Sequence, residues 1–368
     1  MIGRAFRLSL FGESHGRCVG ALVEGCPPGV PFDEGLVRAD LDRRRPGSAP
    51  LVSQRSEPDE FEVLSGVYRG RTTGGPVVMV VWNIDVDSTP YESVDRVPRP
   101  GHADYTAKVK YMGFGDPRGG GHLSGRMTAG LVMAGSLAKM VLRVLGVSVA
   151  AHLVQVGGVR LDREVEPGEI LRAASSGLWC ADPSAARLME EEILRARYEG
   201  DSVGGIVEAV ATGVPVGLGE PLLEGLEGEV ARLILAIPAA KGVEFGAGFR
   251  LAPMRGSEAN DQFAVSPNGT LTRLSNNAGG VEGGISNGMP LRLRVAFKPT
   301  PSIPRSQRSV DLEEMREVEL RVSGRHDPCV AVRAVPAVEA ALAVALADHT
   351  LRWLSWMEWG RSLSSGGG

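Results

Sequence analysis

Residues 23–47 and 210–242 pass through the same order of signals, and this echo constrains the fold more than any other feature. VEGCPPGVPFDEGLVRADLDRRRPG and VATGVPVGLGEPLLEGLEGEVARLILAIPAAKG each read as strand, Gly-Val-Pro turn, acidic helix start, helix, and a Pro-Gly or Lys-Gly exit. Two related β-loop-α units suit one domain with internal pseudo-symmetry, although shared turn chemistry gives a plainer source for the same likeness. No Pro/Ser-rich linker or composition shift divides the chain. One domain over 1–360 is expected, with a disordered tail over 361–368.

The first third is rich in strand signals. Phe6–Phe11 alternates polar and apolar residues, Ala21–Val23 is a short apolar run, and Val77–Trp82 (VVMVVW) reads as a buried strand. Four helices are predicted. One starts at Asp33 as cap and ends in Arg43-Arg44-Arg45, one covers Arg126 to Leu145 and is closed by Gly146, one covers Ser184 to Tyr198, and one runs from Pro336 in its first turn to Trp356. The most apolar stretch, Thr128 to Val147, carries Lys139 and Arg143, which suits a buried helix and not a bilayer span. No export signal is read at the N-terminus, and the expected compartment is the cytoplasm.

Charge narrows the function. With 40 basic against 44 acidic side chains, a net charge of -4 and 5% aromatics, a general nucleic-acid binder is not expected. The four cysteines, Cys18, Cys26, Cys180 and Cys329, form no CxxC pair and no zinc spacing, and are expected as reduced thiols. No metal site is expected, since paired-His spacing is absent too. Glycine (49) and proline (24) imply many tight loops.

Four of the six histidines sit in such loops: His15 in GESHG, His102 in RPGHADYT, His122 in RGGGHLSGR and His326 in GRHDPC. His152 and His349 read as structural. Histidine beside Arg, Asp or Ser in a loop is the arrangement acid-base chemistry needs near neutral pH. Only five basic residues are lysine; arginines at turns and element ends (Arg43–Arg45, Arg55, Arg99, Arg118, Arg126, Arg325, Arg333) can fork onto carboxylate or phosphate. Salt bridging is the ordinary fate of any one of them. Gly119-Gly120-Gly121, ahead of a helix, can cradle a phosphate. GESHG also fits the GxSxG elbow with Ser14 as nucleophile, and Ser14, Asp327 and His349 follow hydrolase order. One strand before the motif and an extended, proline-broken stretch after it contradict the elbow. The residues alone therefore lead to an enzyme acting on an anionic small molecule.

Taken together and in order, the motifs resemble the chorismate synthase family. The likeness is carried by FGESHG (11–16), DRRRPG (42–47), SGVYRGRTTGGPV (65–77), RPGHADYT (99–106), DPRGGG (116–121), EGDSVGG (199–205), the segment 213–246, NNAGGVEGGISNG (276–288), KPTPSI (298–303) and GRHDPCVAVRAVPAVEA (324–340). The resemblance implies an α+β fold, a sandwich of helices between two antiparallel sheets, assembled as a homotetramer. It implies the 1,4-anti elimination of phosphate from 5-enolpyruvylshikimate 3-phosphate to give chorismate, the last common step of the shikimate pathway, dependent on reduced FMN. The substrate's two carboxylates and phosphate account for the arginines.

Roles follow position by position. By resemblance, His15 protonates the departing phosphate, His102 stands against the flavin pyrimidine ring, and Asp327 with Ser14 relays the proton from the flavin. Flavin contacts are implied for His122, Leu123, Ser124, Pro238, Ala239, Gly283, Lys298, Pro299, Thr300, Pro301, Ser302 and Arg325; substrate contacts for Arg44, Arg126, Arg325 and Arg333; an NADPH contact for Arg44. His122-Leu123-Ser124 replaces an arginine and two serines of the commoner pattern, Met127 a glutamate, Pro238 an asparagine, and Pro50 stands near the place of an arginine linked to NADPH. No appended domain or dinucleotide fingerprint is present, so NADPH enters only as a reductant of the flavin, supplied by an external flavin reductase.

Overall fold

Apolar residues spaced by two make each strand of this chain one-faced, and one-faced strands need a covering layer. In the computed structural model, which describes residues 1–45, 59–84, 94–173, 178–322 and 327–365, that layer is helical. The strands Arg7–Gly12, Cys18–Glu24, Val77–Trp82 and Phe61–Ser65 lie side by side in this order, each neighbouring pair antiparallel. Val77, Met79 and Val81 are wholly buried on one face. A second antiparallel sheet runs Ala240–Phe245, Leu291–Phe297, Gly205–Thr212, Ser148–Val156, Val159–Arg160. In Leu291–Phe297 the buried residues Leu291, Leu293, Val295 and Phe297 alternate with the half-buried Arg292, Arg294 and Ala296.

Two long helices fill the space between the sheets. Thr128–Arg143 packs on the first sheet so closely that a Cβ on Gly130 would lie 2.6 Å from the Gly20 carbonyl oxygen. Val330–Ser365 packs on the second sheet. The helices meet where Gly135 faces Ala340; a Cβ on Gly135 would lie 2.2 Å from the alanine Cβ, so only glycine allows this approach. The result is the expected α+β sandwich with helices inside two antiparallel sheets.

The sequence echo has a structural counterpart. Strand Cys18–Glu24 leads through Gly29-Val30-Pro31 to helix Glu34–Arg44, and strand Gly205–Thr212 leads through Gly213-Val214-Pro215 to helix Leu226–Leu235. Gly29 and Gly213 both take left-handed φ (83° and 72°), and Val30 and Val214 are both buried. One such unit sits in each half of the sandwich.

Helix Glu34–Arg44 starts as predicted, with the Asp33 carboxylate accepting from Leu36 N at 3.0 Å. Helix Pro183–Tyr198 also agrees. Two predictions need correction. The helix expected from Arg126 begins as α-helix at Thr128, because Gly125–Met127 forms a 3-10 turn capped by Ser124. The last helix starts at Val330 and continues to Ser365, with Pro336 inside it. Proline in a helix interior costs about 3 kcal/mol, and burial of Val332, Val335, Ala337 and Val338 around it outweighs that penalty. Residues 361–365, expected in a disordered tail, are helical. Among the described residues this helix is the one long and apolar enough to cross a membrane by composition, but 89% of its most apolar window is buried inside the protein.

Candidate functional site

The GESHG segment forms the turn between strands Arg7–Gly12 and Cys18–Glu24, with Gly16 N donating to Glu13 O at 3.1 Å. The chain after Ser14 therefore enters a strand and not a helix, which removes the hydrolase elbow. Ser14 and His15 are buried beneath the glycine loop. Gly119, Gly120 and Gly121 all have left-handed φ (59°, 82° and 54°), so the backbone curls over the turn, and Ser14 N donates to Gly121 O at 3.1 Å. A Cβ on Gly119 would stand 2.7 Å from both His15 Nε2 and Ser14 Oγ, and one on Gly120 would stand 3.5 Å from His102 Cε1. The loop thus runs between His15 and His102. It backs these side chains.

Three successive arginines at the end of helix Glu34–Arg44 go three ways, because helical residues turn about 100° each. Arg43 enters a buried network with Asp40, Lys139 and Glu339. Arg45 is half-exposed, 3.7 Å from Asp42. Arg44, 1% exposed, points to the turn side and binds Asp59. The other carboxylate oxygen of Asp59 accepts from Arg126. Arg126 Nε also donates to Asn83 Oδ1 at 2.9 Å, and Asn83 Nδ2 donates to Glu13 O (3.0 Å) and Gly16 O (2.8 Å), tying the arginines to the GESHG turn. Arg333 donates to Arg44 O at 2.9 Å and to Asp327 Oδ2 at 2.6 Å. Three guanidinium groups therefore face two carboxylates.

Electrostatics make this an anion site. Burial, and then the like charges of Arg333 and Arg126, outweigh Asp59 and bring the Arg44 guanidinium down to about 10. Arg44 Nε and Nη1 have no hydrogen-bond partner among the described residues. A buried donor left so costs about 1–3 kcal/mol, which a bound anion removes. Burial pushes the Asp59 carboxyl up, but Arg44 and Arg126 hold it down, to about 2. Its contribution to stability is thus complete above about pH 4 and is lost as pH falls through 2. Asp59→Asn is expected to lower unfolding stability at pH 7 by at least about 2 kcal/mol. It should also flatten the acid loss between pH 4 and 2, read as urea midpoints across pH; equal midpoints for both proteins at pH 7 refute this.

His102 forms a second group. Its Nδ1 lies 2.5 Å from Asp104 Oδ1, and Arg99 grips Asp104 with Nε and Nη2, both at 2.8 Å. Arg99 Nη1 donates to Ser302 Oγ at 3.1 Å, and Lys298 Nζ donates to Gly101 O, so the RPGH and KPTPS segments are locked together. Lys298 N donates to Ala239 O at 3.0 Å, which brings in Pro238–Ala239. Beside His102 an open cleft is lined by Ala103, Ala107, Tyr111, Gly120, His122 and Leu123. Tyr111 Oη lies 3.0 Å from His122 Nε2.

Not every residue named from the sequence converges here. Ser124 Oγ accepts from Arg126 N at 3.2 Å as a cap. Arg118 is exposed and pairs with Asp116 at 2.8 Å. Gly283 lies in the turn of a hairpin whose Gly284 O accepts from Leu226 N, at the start of helix Leu226–Leu235. Pro238–Ala239 follow the other end of that ten-residue helix, about 15 Å along its axis. Within one chain Gly283 is therefore apart from the His102 group. Pro50, Arg55, Arg325 and His326 lie outside the described residues. His152 and His349 are buried away from the turn, as read. Sequence reasoning missed Asp59 and Asn83, which carry no motif, and Asp104, which stands inside one.

Comparison with known proteins bears on the family and the fold. The family model described as chorismate synthase matches residues 6–351. Chorismate synthase of Thermococcus gammatolerans is 52% identical over 356 residues, 97% of this chain and 99% of that one. The enzyme of Korarchaeum cryptofilum is 51% identical over 352 residues, covering 96% and 97%. A crystal structure of chorismate synthase superimposes with a TM-score of 0.76 at 30% identity, covering 96% of this chain and 93% of that one. With the motifs, the sandwich and the arginine-lined turn, these matches establish that the chain belongs to the chorismate synthase family, a lyase acting on a small molecule.

Proposed function

We propose that the Arg44–Asp59–Arg126–Arg333 cluster binds the carboxylates and phosphate of 5-enolpyruvylshikimate 3-phosphate, and that the cleft beside His102 takes reduced FMN. The observation that carries this reading is Arg44, a fully buried guanidinium with like-charged neighbours and two nitrogens unpartnered among the described residues. The cleft lining suits a flavin ring, apolar on its faces and polar at its edge: Ala103, Ala107, Tyr111 and Leu123 stand beside the imidazoles of His102 and His122 and the charged Asp104, Lys108 and Asp116. When bound, reduced FMN supplies transient electron density with no net redox change.

His15 holds a proton on Nε2 for the departing phosphate oxygen, a task suited to imidazole near neutral pH. The arginines fix the anionic groups and stabilise charge that gathers on the leaving phosphate. Ser14, beside His15, and Asp327 serve proton movement, Asp327 being held by Arg333 at 2.6 Å. Lys298 to Ser302 and Pro238–Ala239 border the flavin. We further propose a cytoplasmic homotetramer of single-domain chains that receives reduced flavin from an external reductase, with Arg44 as an NADPH contact.

The test is anaerobic turnover with chemically reduced FMN, followed as chorismate absorbance. His15→Ala and His102→Ala are each expected to lower kcat about 10²-fold with unchanged circular dichroism. Wild-type rates in either variant remove that histidine's role. Oxidised FMN with NADPH is expected to give no chorismate.

A further inference from the structure

We infer that the end of the Val330–Ser365 helix is a self-association surface, on which the same helix end of a second copy packs antiparallel. The helix is packed inside the sandwich as far as Thr350, whereas every residue from Ser355 to Ser364 is exposed. The family model matches residues 6–351, so this stretch lies past it and the pairing goes beyond the assembly proposed above. At about 100° per residue, Trp359, Leu363, Trp356, Gly360 and Trp353 fall, in that angular order, within about 120° of the helix circumference. Ser355, Glu358, Arg361 and Ser362 take the opposite side. Trp356 (65%), Trp359 (60%) and Leu363 (62%) are nonetheless open to solvent.

A loop extends this apolar face. Glu220 and Glu224 exchange backbone hydrogen bonds at 3.0 Å and close a turn with Leu222 and Leu223 at its tip, 95% and 98% exposed. The loop is fixed to the root of the helix end. Arg352 Nη2 donates to Glu224 at 3.1 Å, and a Cβ on Gly217 would stand 3.0 Å from Trp353 Nε1. Arg352 lies inside the apolar arc and Trp353 at its edge, so the loop stands on the same side as Trp356 and Trp359. One exposed leucine is ordinary, but three leucines and two tryptophans on one side form a patch of the kind that marks an interface. At roughly 150 Å² each, these five side chains offer about 750 Å² per copy, close to the ~800 Å² per partner of a stable interface.

The patch selects a copy of itself. Gly360 lies within the arc although a Cβ there would meet nothing within 4 Å, and glycine is a poor helix former. Nothing among the described residues requires glycine at this place; the close approach of a second helix does. Parallel helix ends would put both sandwiches at the same end, whereas antiparallel ones keep them apart. A two-fold axis between Trp359 and Gly360 sets Trp356 of one copy against Leu363 of the other and brings the two Gly360 backbones together. It also carries each helix end towards the other copy's Leu222 and Leu223. Each copy thus supplies both halves of the contact, as an isologous interface needs. A lipid surface is the other use of a tryptophan-bearing helix. Here Arg361 is balanced by Glu358, 3.2 Å away, and the other polar residues of that side are serines, with no basic excess for anionic headgroups.

The experiment is oxidation by diamide of full-length chains with one added cysteine, at micromolar concentration, read on a non-reducing gel. Gly360→Cys is expected to give a covalent dimer, because the two-fold brings its Cα atoms within disulfide reach, about 4–7 Å. Ser362→Cys faces away and is expected to give at least about tenfold less. It should match wild type, whose Cys18 is half-buried and whose other cysteines are buried. Adding Trp356→Ser and Trp359→Ser to Gly360→Cys is expected to lower the dimer yield about tenfold, with circular dichroism unchanged. No dimer from Gly360→Cys, an equal yield from Ser362→Cys, or a yield that survives the loss of both tryptophans overturns the inference. In sedimentation with phosphatidylcholine–phosphatidylglycerol vesicles, wild type is expected to stay in solution. Pelleting that depends on the two tryptophans assigns the face to lipid and overturns the inference as well.

Discussion

Gly119→Ala is expected to lower kcat about 10³-fold while the protein stays folded. The added Cβ meets His15 Nε2 and Ser14 Oγ, each at 2.7 Å, nearer than van der Waals contact allows. Both are ends of side chains, so they can move aside and the backbone need not. The fold loses only the cost of a left-handed alanine, about 1–2 kcal/mol. The site loses far more, because a displacement of about 1 Å at a reacting group costs about 10²-fold, and two groups move together. Gly121 provides the contrast. There the Cβ would meet the Asp116 backbone oxygen at 2.4 Å, so Gly121→Ala must shift the main chain and destabilise the loop itself. Thermal unfolding with kinetics separates the two cases. A wild-type kcat in Gly119→Ala, with the alanine confirmed in place, shows that neither Ser14 nor His15 acts in the geometry described.

Much of the fold is legible in the sequence because its signals are local. Asp33 before an acidic first turn, VVMVVW between proline and asparagine, and the paired Gly-Val-Pro turns each specify a nearby backbone state, and the structure agrees with all three. Pro336 misleads for the opposite reason: its local preference is overridden by burial of the last helix between the Thr128–Arg143 helix and the second sheet. At the site, Ser14, His15, Arg44, Arg126, Asp327 and Arg333 could be named because the family motifs mark them; the structure ties Arg44, Arg126 and the turn of Ser14 and His15 together through Asp59 and Asn83, and Asp327 to Arg44 through Arg333. Those two could not be named. Asp59 takes its meaning from two arginines distant in sequence, and Asn83 from carbonyls of another strand's turn. Nor does DRRRPG say which arginine faces the pocket; helical phase decides that only once the neighbouring helices are in place.

The phase that sends Arg44 to the pocket sends Arg43 into the core, and there a single carboxylate holds the sandwich together. Glu339 accepts from Arg43 at 2.7 Å and 3.1 Å, from Lys139 Nζ at 2.6 Å and from Ala151 N at 3.1 Å. Asp40 completes the group through Arg43 (2.7 Å), Lys139 (2.5 Å) and Ser136 (2.7 Å). Two cations and two anions balance, and the members come from the Glu34–Arg44 helix, both long helices and the second sheet. Burial alone pushes the Glu339 carboxyl up, but Lys139 and Arg43 hold it well below its usual range, so it is ionised. Glu339→Ala is therefore expected to destabilise by about 3–5 kcal/mol, since it leaves two buried cations facing Asp40 alone. That is a factor of roughly 10² to several times 10³ in the unfolding equilibrium. The double variant Arg43→Met, Glu339→Leu removes one charge of each sign and leaves Lys139 paired with Asp40. It is expected to cost less than Glu339→Ala, although it changes more atoms, because no buried charge is then left without a counterpart. Urea unfolding midpoints of the three proteins decide the matter. A double variant less stable than Glu339→Ala shows that packing, and not charge balance, holds these helices in register.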